Sequence, residues 1–181
     1  MISDIKIGIT GLPGSGKTFA LHRVIEMLRE SDLKIGGMID EPLTDGRRKT
    51  GFLVKDIMTG ESQVFAGLDV ESKTMIGKIG VDLAKFEEIG IAAIKRACAE
   101  CDIIVIDEVG KVEVESQAFI DAVKEALDAD KPMILTLHKK SRNPLLQDIR
   151  RRDDVRILEV TPTNRNLLPY KIVRLMNGEN V

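Results

Sequence analysis

The sequence predicts an α/β fold built on one mostly parallel sheet with helices on both faces. Three observations carry that expectation. Ile5, Ile7 and Ile9 alternate before the run Gly11-Leu12-Pro13-Gly14-Ser15-Gly16-Lys17-Thr18, and Leu21, Val24, Ile25 and Leu28 follow it at helical spacing. Strand-length apolar runs then recur between amphipathic stretches, the alternation that generates parallel sheets. One of them, Ile103-Ile104-Val105-Ile106, is continuously apolar, as befits a strand covered on both faces.

Taken in order, Ile5 to Thr10 reads as the first strand and the stretch around Leu21 to Leu28 as the first helix. Lys34 to Asp40 reads as a second strand. Glu41 to Thr50 is polar, with Pro42, Gly46 and Arg47-Arg48-Lys49, and is expected as a loop. Gly51 to Ile57 and Ser62 to Phe65 form an antiparallel hairpin across Met58-Thr59-Gly60-Glu61. Leu68 to Val81 carries Gly77 and Gly80 and reads as a mobile loop or an irregular strand. Lys85 to Glu100 is helical, with Phe86, Ile89, Ala93 and Ala97 on one side.

After the strand at Ile103, Ser116 caps a helix reaching Asp128, whose apolar side is Phe119, Ile120, Val123 and Leu127. Met133 to Leu137 is a further buried strand, Leu145 to Arg151 a short helix and Val155 to Val160 a last strand. Asn164 is expected to cap a final helix toward Met176, with Pro169 restricting its first turn. No repeat or low-complexity linker interrupts residues 1–181, so one domain is expected.

Composition limits the function classes. The 181 residues are 43% hydrophobic and 31% charged with a net charge of −2, and Lys and Arg are scattered. That distribution gives no electrostatic footprint for nucleic acid. No apolar run approaches membrane-spanning length, and a cytoplasmic location is expected. Cys98 and Cys101 form a C-x-x-C, which admits a redox reading. The alternative is a pair of small buried side chains at a helix end and strand entry. His22 and His138 lack the spacing that would complete a zinc site.

The chemistry lies in two constellations. Gly11 to Thr18 matches G-x-x-x-x-G-K-[ST], a pattern that arises by chance roughly 0.6% of the time in a chain of this length. Its glycines let backbone N–H groups turn inward around phosphates, forming an anion nest. Lys17 adds a mobile positive charge and Thr18 offers a hydroxyl to Mg²⁺. Leu12, Pro13, Gly14, Ser15 and Gly16 complete the nucleotide-binding candidates of the loop.

The second constellation is Ile103-Ile104-Val105-Ile106-Asp107-Glu108, continuing through Val109-Gly110-Lys111-Val112-Glu113. An apolar strand ending in a carboxylate holds that group rigidly at the edge of the sheet where α/β folds bind ligands. Asp107 is the expected metal partner, through a water, and Glu108 the group that orients or deprotonates an attacking water. The stretch from Ile103 to Gly110 is therefore assigned to the nucleotide site. Lys111 and Glu113 either place charge near the metal, pair with each other or are ordinary loop ions. Thr136 and His138 end the next strand, where a polar residue can sense the γ-phosphate, Thr136 being the preferred of the two. Arg150-Arg151-Arg152 and Arg165 are candidates for neutralising transition-state charge or belong to a solvated face.

On these motifs the chain resembles the thermophilic nucleoside-triphosphatase family, which includes the animal cancer-related nucleoside-triphosphatase. The resemblance rests on GLPGSGKT at Gly11 to Thr18 and IIVIDEVGKVEV at Ile103 to Val114. RKTGFLV at Arg48 to Val54, IGKIGVDLAKFE at Ile76 to Glu87, NPLLQDIRRR at Asn143 to Arg152 and TPTNRN at Thr161 to Asn166 extend it over nearly the full length. It implies a RecA-like P-loop NTPase core with an inserted antiparallel hairpin. It also implies Mg²⁺-dependent hydrolysis of nucleoside triphosphates with loose base selectivity and poorer use of diphosphates. Val109 and Val112 replace the family's usual Ile and Met. Glu41-Pro42-Leu43 replaces Glu-Val-Arg, and Asn143-Pro144 replaces His-Pro, so neither the arginine nor the histidine carries over.

Two other readings of the same residues predict different products. A nucleoside or nucleotide kinase would use Ile149 to Asp153 as an arginine-bearing lid and transfer phosphate to an acceptor. A nucleotide-gated switch would bind tightly and turn over with a partner. Guanine-specific switches use Asn-Lys-x-Asp, which does not occur here.

Overall fold

A computed structural model describes residues 3–181. The chain runs β1 (Lys6–Gly11), α1 (Lys17–Arg29), β2 (Ile35–Asp45), β3 (Arg48–Asp56), β4 (Ser62–Gly67), β5 (Met75–Ile76), β6 (Ile79–Val81) and α2 (Leu83–Glu100). It continues with β7 (Ile103–Val109), a 3-10 turn (Glu113–Glu115), α3 (Gln117–Leu127), β8 (Met133–His138), α4 (Pro144–Arg151), β9 (Val155–Glu159) and α5 (Leu168–Met176). The strands join one sheet in the order β5-β6-β4-β3-β2-β7-β8-β1-β9. From β2 to β9 every neighbouring pair is parallel. From β2 outward through β3, β4, β6 and β5 every pair is antiparallel.

The period-2 alternation of strand side chains divides the core into two layers. Ile103 and Val105 of β7 pack with Ile7, Ile9, Leu21 and Val24 against α1 and α5. Ile104 and Ile106 face the other way, with Phe86, Ile94, Phe119 and Leu146 of α2, α3 and α4. All four β7 residues are fully buried. At about 1.5–3 kcal/mol for each buried aliphatic side chain, this strand is strongly pinned.

The expected parallel core with an antiparallel insertion is present, but the insertion is larger than a hairpin. Glu41 to Thr50 is not a loop. β2 continues to Asp45 and β3 starts at Arg48, with Asp45 paired to Arg48 across a tight turn at Gly46. The polar residues read as loop signals project from a ribbon whose outer half is exposed on both sides, so polarity there does not oppose pairing. The Leu68 to Val81 segment holds two short strands, β5 and β6, and β6 pairs with β4 through Ala66 and Val81.

The ribbon is fastened to the core by Asp56. This buried carboxylate accepts from the backbone N–H groups of Met58 (2.9 Å) and Thr59 (3.2 Å) and pairs with Arg96 of α2. Ser116 caps α3 as expected, accepting from the Phe119 N–H at 3.1 Å. Asn164 does not cap α5, which starts only at Leu168. Its side chain accepts from the Thr161 N–H and donates to the Glu159 carbonyl instead, closing the turn after β9.

The Cys98–Cys101 pair is unoxidised, with Cys101 buried at the α2 C-terminus. Burial pushes both thiols up from their ordinary value, which keeps them protonated and poorly nucleophilic. No helix among the described residues is long and apolar enough to cross a membrane.

Candidate active site

β1 delivers the chain at the carboxyl edge of the sheet, and Gly11 to Gly16 turns it into α1. Gly16 caps that helix with φ 109°, a left-handed conformation that glycine adopts without a Cβ penalty. A Cβ there would also stand 3.2 Å from the Arg165 Cδ. No side chain caps α1 and no acid occupies its first turn, so its N–H groups and dipole are open to an anion.

The acidic pair owes its placement to a break in the ladder. Ile106 pairs with Leu135 and the next partners are Val109 and Leu137. Asp107 and Glu108 thus share the single position opposite Thr136, a bulge that re-aims both side chains. Asp107 is almost fully buried. One of its oxygens accepts from the Thr136 hydroxyl at 2.6 Å and the other from the Thr18 hydroxyl at 3.3 Å. Burial lifts the Asp107 carboxyl to about 6, with Thr136 pulling the other way and Glu108 adding to the rise. Glu108 is partly exposed, and its Oε2 lies 3.3 Å from the Lys17 Nζ.

These contacts bring together Lys17, Thr18, Asp107 and Glu108, residues separated by about ninety positions in the chain. The remaining candidates separate. Ile103, Ile104, Val105, Ile106 and Val109 are completely buried in the two core layers, so they hold the acidic pair in place and do not line the site's cavity. Gly110 matters for what it lacks: a Cβ there would lie 2.7 Å from Glu108 Oε1 and 2.8 Å from Glu113 Oε2. Thr136 is wholly buried and its hydroxyl is committed to Asp107, whereas His138 lines the cavity.

Glu113 does not pair with Lys111. It is buried beside Asp40, and burial followed by their mutual repulsion raises the Asp40 carboxyl well above the ordinary carboxylate range. Glu113 is raised too, mainly by burial. Two arginines of the run are tied down, and the third, Arg151, is exposed. Arg150 donates to the carbonyls of His138 (2.6 Å), Ser141 (2.8 Å) and Lys139 (3.0 Å), and Arg152 pairs with Asp154 and Asp128. Neither side chain is a free lid residue. Arg165 alone packs against the phosphate loop.

Asp40 is the residue that sequence reasoning passed over. In the sequence Ile39-Asp40 closes an apolar run as Ile106-Asp107 does, and β2 pairs with β7 so that Ile39 stands opposite Asp107. That repetition of an apolar strand ending in an acid was the available signal.

The donor set suits Mg²⁺. One carboxylate and one hydroxyl, hard oxygens 3.3 Å apart, leave most of an octahedral shell for phosphate and water. Among the described residues no group of three or more His, Cys, Asp or Glu forms a metal cage.

Comparison with known proteins identifies the family and related folds. A family described as NTPase matches residues 6–173. Nucleoside-triphosphatase THEP1 of Thermoplasma volcanium is 41% identical over 175 residues, covering 97% of this chain and 98% of the relative. The crystal structure of THEP1 from Aquifex aeolicus superposes with a TM-score of 0.82 at 31% identity, covering 95% of this chain and 99% of that one. The solution structure of a human cancer-related nucleoside triphosphatase gives a TM-score of 0.82 at 31% identity, covering 98% and 100%.

Proposed function

The chain belongs to the THEP1 nucleoside-triphosphatase family and is a hydrolase acting on nucleoside triphosphates, and from that premise we propose a Mg²⁺-dependent mechanism in which Glu108 positions the attacking water. The reaction releases phosphate and leaves the diphosphate. Base selectivity is loose, and diphosphates, which offer no γ-phosphate to the Lys17 end of the loop, are poorer substrates. The observation that carries this reading is the contact of Glu108 with Lys17, at 3.3 Å, in the residue directly following Asp107.

In this reading the N–H groups of Gly14 to Thr18 and the Lys17 ammonium surround the β- and γ-phosphates. Thr18 and Asp107 would hold Mg²⁺, which would supply positive charge to offset that of the phosphates. Thr136 keeps Asp107 oriented. Glu108 accepts a hydrogen bond from the water and takes its proton as the oxygen reaches phosphorus. The whole chain works as one domain, a reading supported by the single sheet into which all described strands are joined.

Phosphate release with Mg²⁺, measured on ATP, GTP, CTP, UTP and ADP, tests the proposal. Turnover of all four triphosphates within about tenfold of one another supports it, with ADP clearly slower. Transfer to added nucleosides with little free phosphate would replace it with a kinase.

A further inference from the structure

The flank of the phosphate loop away from the acidic pair carries a patch that the chemistry described so far does not use. In the strand order β7-β8-β1-β9, β7 and β9 stand on opposite sides of β1. Lys17 and Thr18 turn toward β7, where they meet Glu108 and Asp107. On the other side the chain leaves β9 and doubles back beside the loop. The Thr161 N–H donates to the Asn164 side-chain oxygen at 2.7 Å, and the Asn164 N–H donates to the Thr161 hydroxyl at 3.2 Å. The Arg165 N–H donates to the Thr161 carbonyl at 3.0 Å. This closed turn holds the Arg165 stem on the loop, so that a Cβ at Gly16 would lie 3.3 Å from the Arg165 Cβ and 3.2 Å from its Cδ.

Around that contact the surface is apolar and open. Phe19, in the first turn of α1 directly after Thr18, is 54% exposed, while Leu167 is 72% and Tyr170 50% exposed. Their neighbours Ala20, Leu168 and Pro169 are buried, so α1 and α5 are well packed and these three side chains still point outward. Tyr170 shares a side-chain hydrogen bond with Arg23, which stands one helical turn after Phe19 on α1. The seam between α1 and α5 thus gathers two aromatic rings beside the phosphate loop, with Arg165 between them and the glycines. Aromatic rings next to a cation form a surface suited to stacking.

We infer that this patch seats the base of the bound nucleotide, which lies flat against Phe19 and the Arg165 guanidinium with Leu167 and Tyr170 at its outer edge. A triphosphate whose γ end reaches Lys17 and Glu108 runs back along the loop away from β7. Its nucleoside then emerges on the β9 side, beside Thr18 and Phe19. The opposite orientation would push the remaining phosphates toward Asp107, Glu108 and Glu113, which line the β7 side with negative charge. The seat offers faces and no fixed pattern of donors and acceptors, because the Tyr170 hydroxyl is engaged with Arg23 and a guanidinium has no acceptor. Every base has a π-face, so stacking here accepts purines and pyrimidines alike. The inference rests on the phosphate loop being the nucleotide site and does not depend on the role given to Glu108.

Tyr170 is the single tyrosine of the chain, so labelling with 3-fluorotyrosine places one fluorine resonance at the seat. The full chain with Mg²⁺ is titrated with the β,γ-imido analogues of ATP and GTP and with inorganic tripolyphosphate, which carries the phosphates and no nucleoside. Both analogues are expected to bind at least about fivefold more tightly than tripolyphosphate and to shift the Tyr170 resonance, which tripolyphosphate leaves in place. Phe19→Ala and Arg165→Ala should each bring the analogues down toward the affinity of tripolyphosphate without changing tripolyphosphate binding. The inference is overturned if the analogues bind no more tightly than tripolyphosphate, or if the variants weaken both kinds of ligand equally or neither. A dimer in sedimentation that Phe19→Ala dissociates, with analogue affinity unchanged, would assign the patch to self-association instead. Failure of tripolyphosphate and the analogues alike to bind would strike the phosphate-loop reading itself, and this inference with it.

Discussion

Lys17 Nζ lies 3.3 Å from Glu108 Oε2, which joins the proposed phosphate-binding cation to the proposed water-positioning carboxylate. The lysine side chain is only 10% exposed and the glutamate 31%, so solvent screens the pair incompletely. In the proposed mechanism a γ-phosphate would compete with Glu108 for the same ammonium and, by drawing Lys17 away, would release the carboxylate toward the water.

Replacing Glu108 with Gln separates those two roles. Loss of a positioned base should lower phosphate release by about 10²- to 10⁴-fold. Triphosphate affinity, measured by equilibrium titration, should hold or tighten, because Lys17 no longer has an anionic competitor. Lys17→Ala should lose affinity and turnover together. Full turnover in Glu108→Gln would exclude the mechanism.

If Asp107 holds the metal as proposed, it gives the reaction an acidic limit: with its carboxyl lifted to about 6, the free chain loses that anion as pH falls through this value. The kcat/KM profile should decline on the acid side there. Thr136 lowers the Asp107 value through its hydrogen bond, so Thr136→Val should move this limb to higher pH and Thr136→Ser should restore it. A limb unmoved by Thr136→Val would show that the hydroxyl does not tune the carboxylate.

Asp40 and Glu113 bind protons more tightly in the folded chain than in the unfolded one. Above the ordinary carboxylate range the native state therefore holds more protons, and stability from these groups falls as pH rises through their folded values. Asp40→Asn removes one such charge. Its melting midpoint should exceed that of the parent at about pH 8, by about 2–4 °C for each kcal/mol relieved, and the difference should shrink at about pH 5. A thermal scan at both values would contradict this if the variant were less stable at the higher pH.

Ser116 offers a purely structural control. Its hydroxyl accepts from the Phe119 N–H and donates to Glu87 at 2.7 Å, joining the start of α3 to α2. Ser116→Ala should cost about 1 kcal/mol in urea unfolding and leave kcat/KM unchanged.

Much of the fold was legible in local pattern. The buried strand Ile103–Ile106, the Ser116 cap and the strand–loop–helix unit around Gly11 to Thr18 each follow from residues within a few positions of one another. The insertion was less legible. Residues 41–50 form the exposed end of the β2–β3 ribbon, beyond its pairing with β7 and β4, and Met75–Ile76 is the outermost strand of the sheet; such strands persist because a partner strand supplies hydrogen bonds, and polar composition gives little warning of it. Asn164 misled for a related reason: its side chain has several backbone partners within reach, and the turn after β9 satisfied it first.

The sequence by itself determined which chemistry is present: a glycine loop that can turn its amides inward, a lysine, a hydroxyl and a carboxylate pair at the end of an apolar strand. Tertiary structure alone decided which of those groups meet. The bulge opposite Thr136 aims Asp107 at Thr18 and Glu108 at Lys17, and the pairing of β2 with β7 brings Asp40 into the same cavity. The physical reason is that strand register is set by hydrogen bonds and packing between segments far apart in the chain. Local periodicity carries no record of that choice.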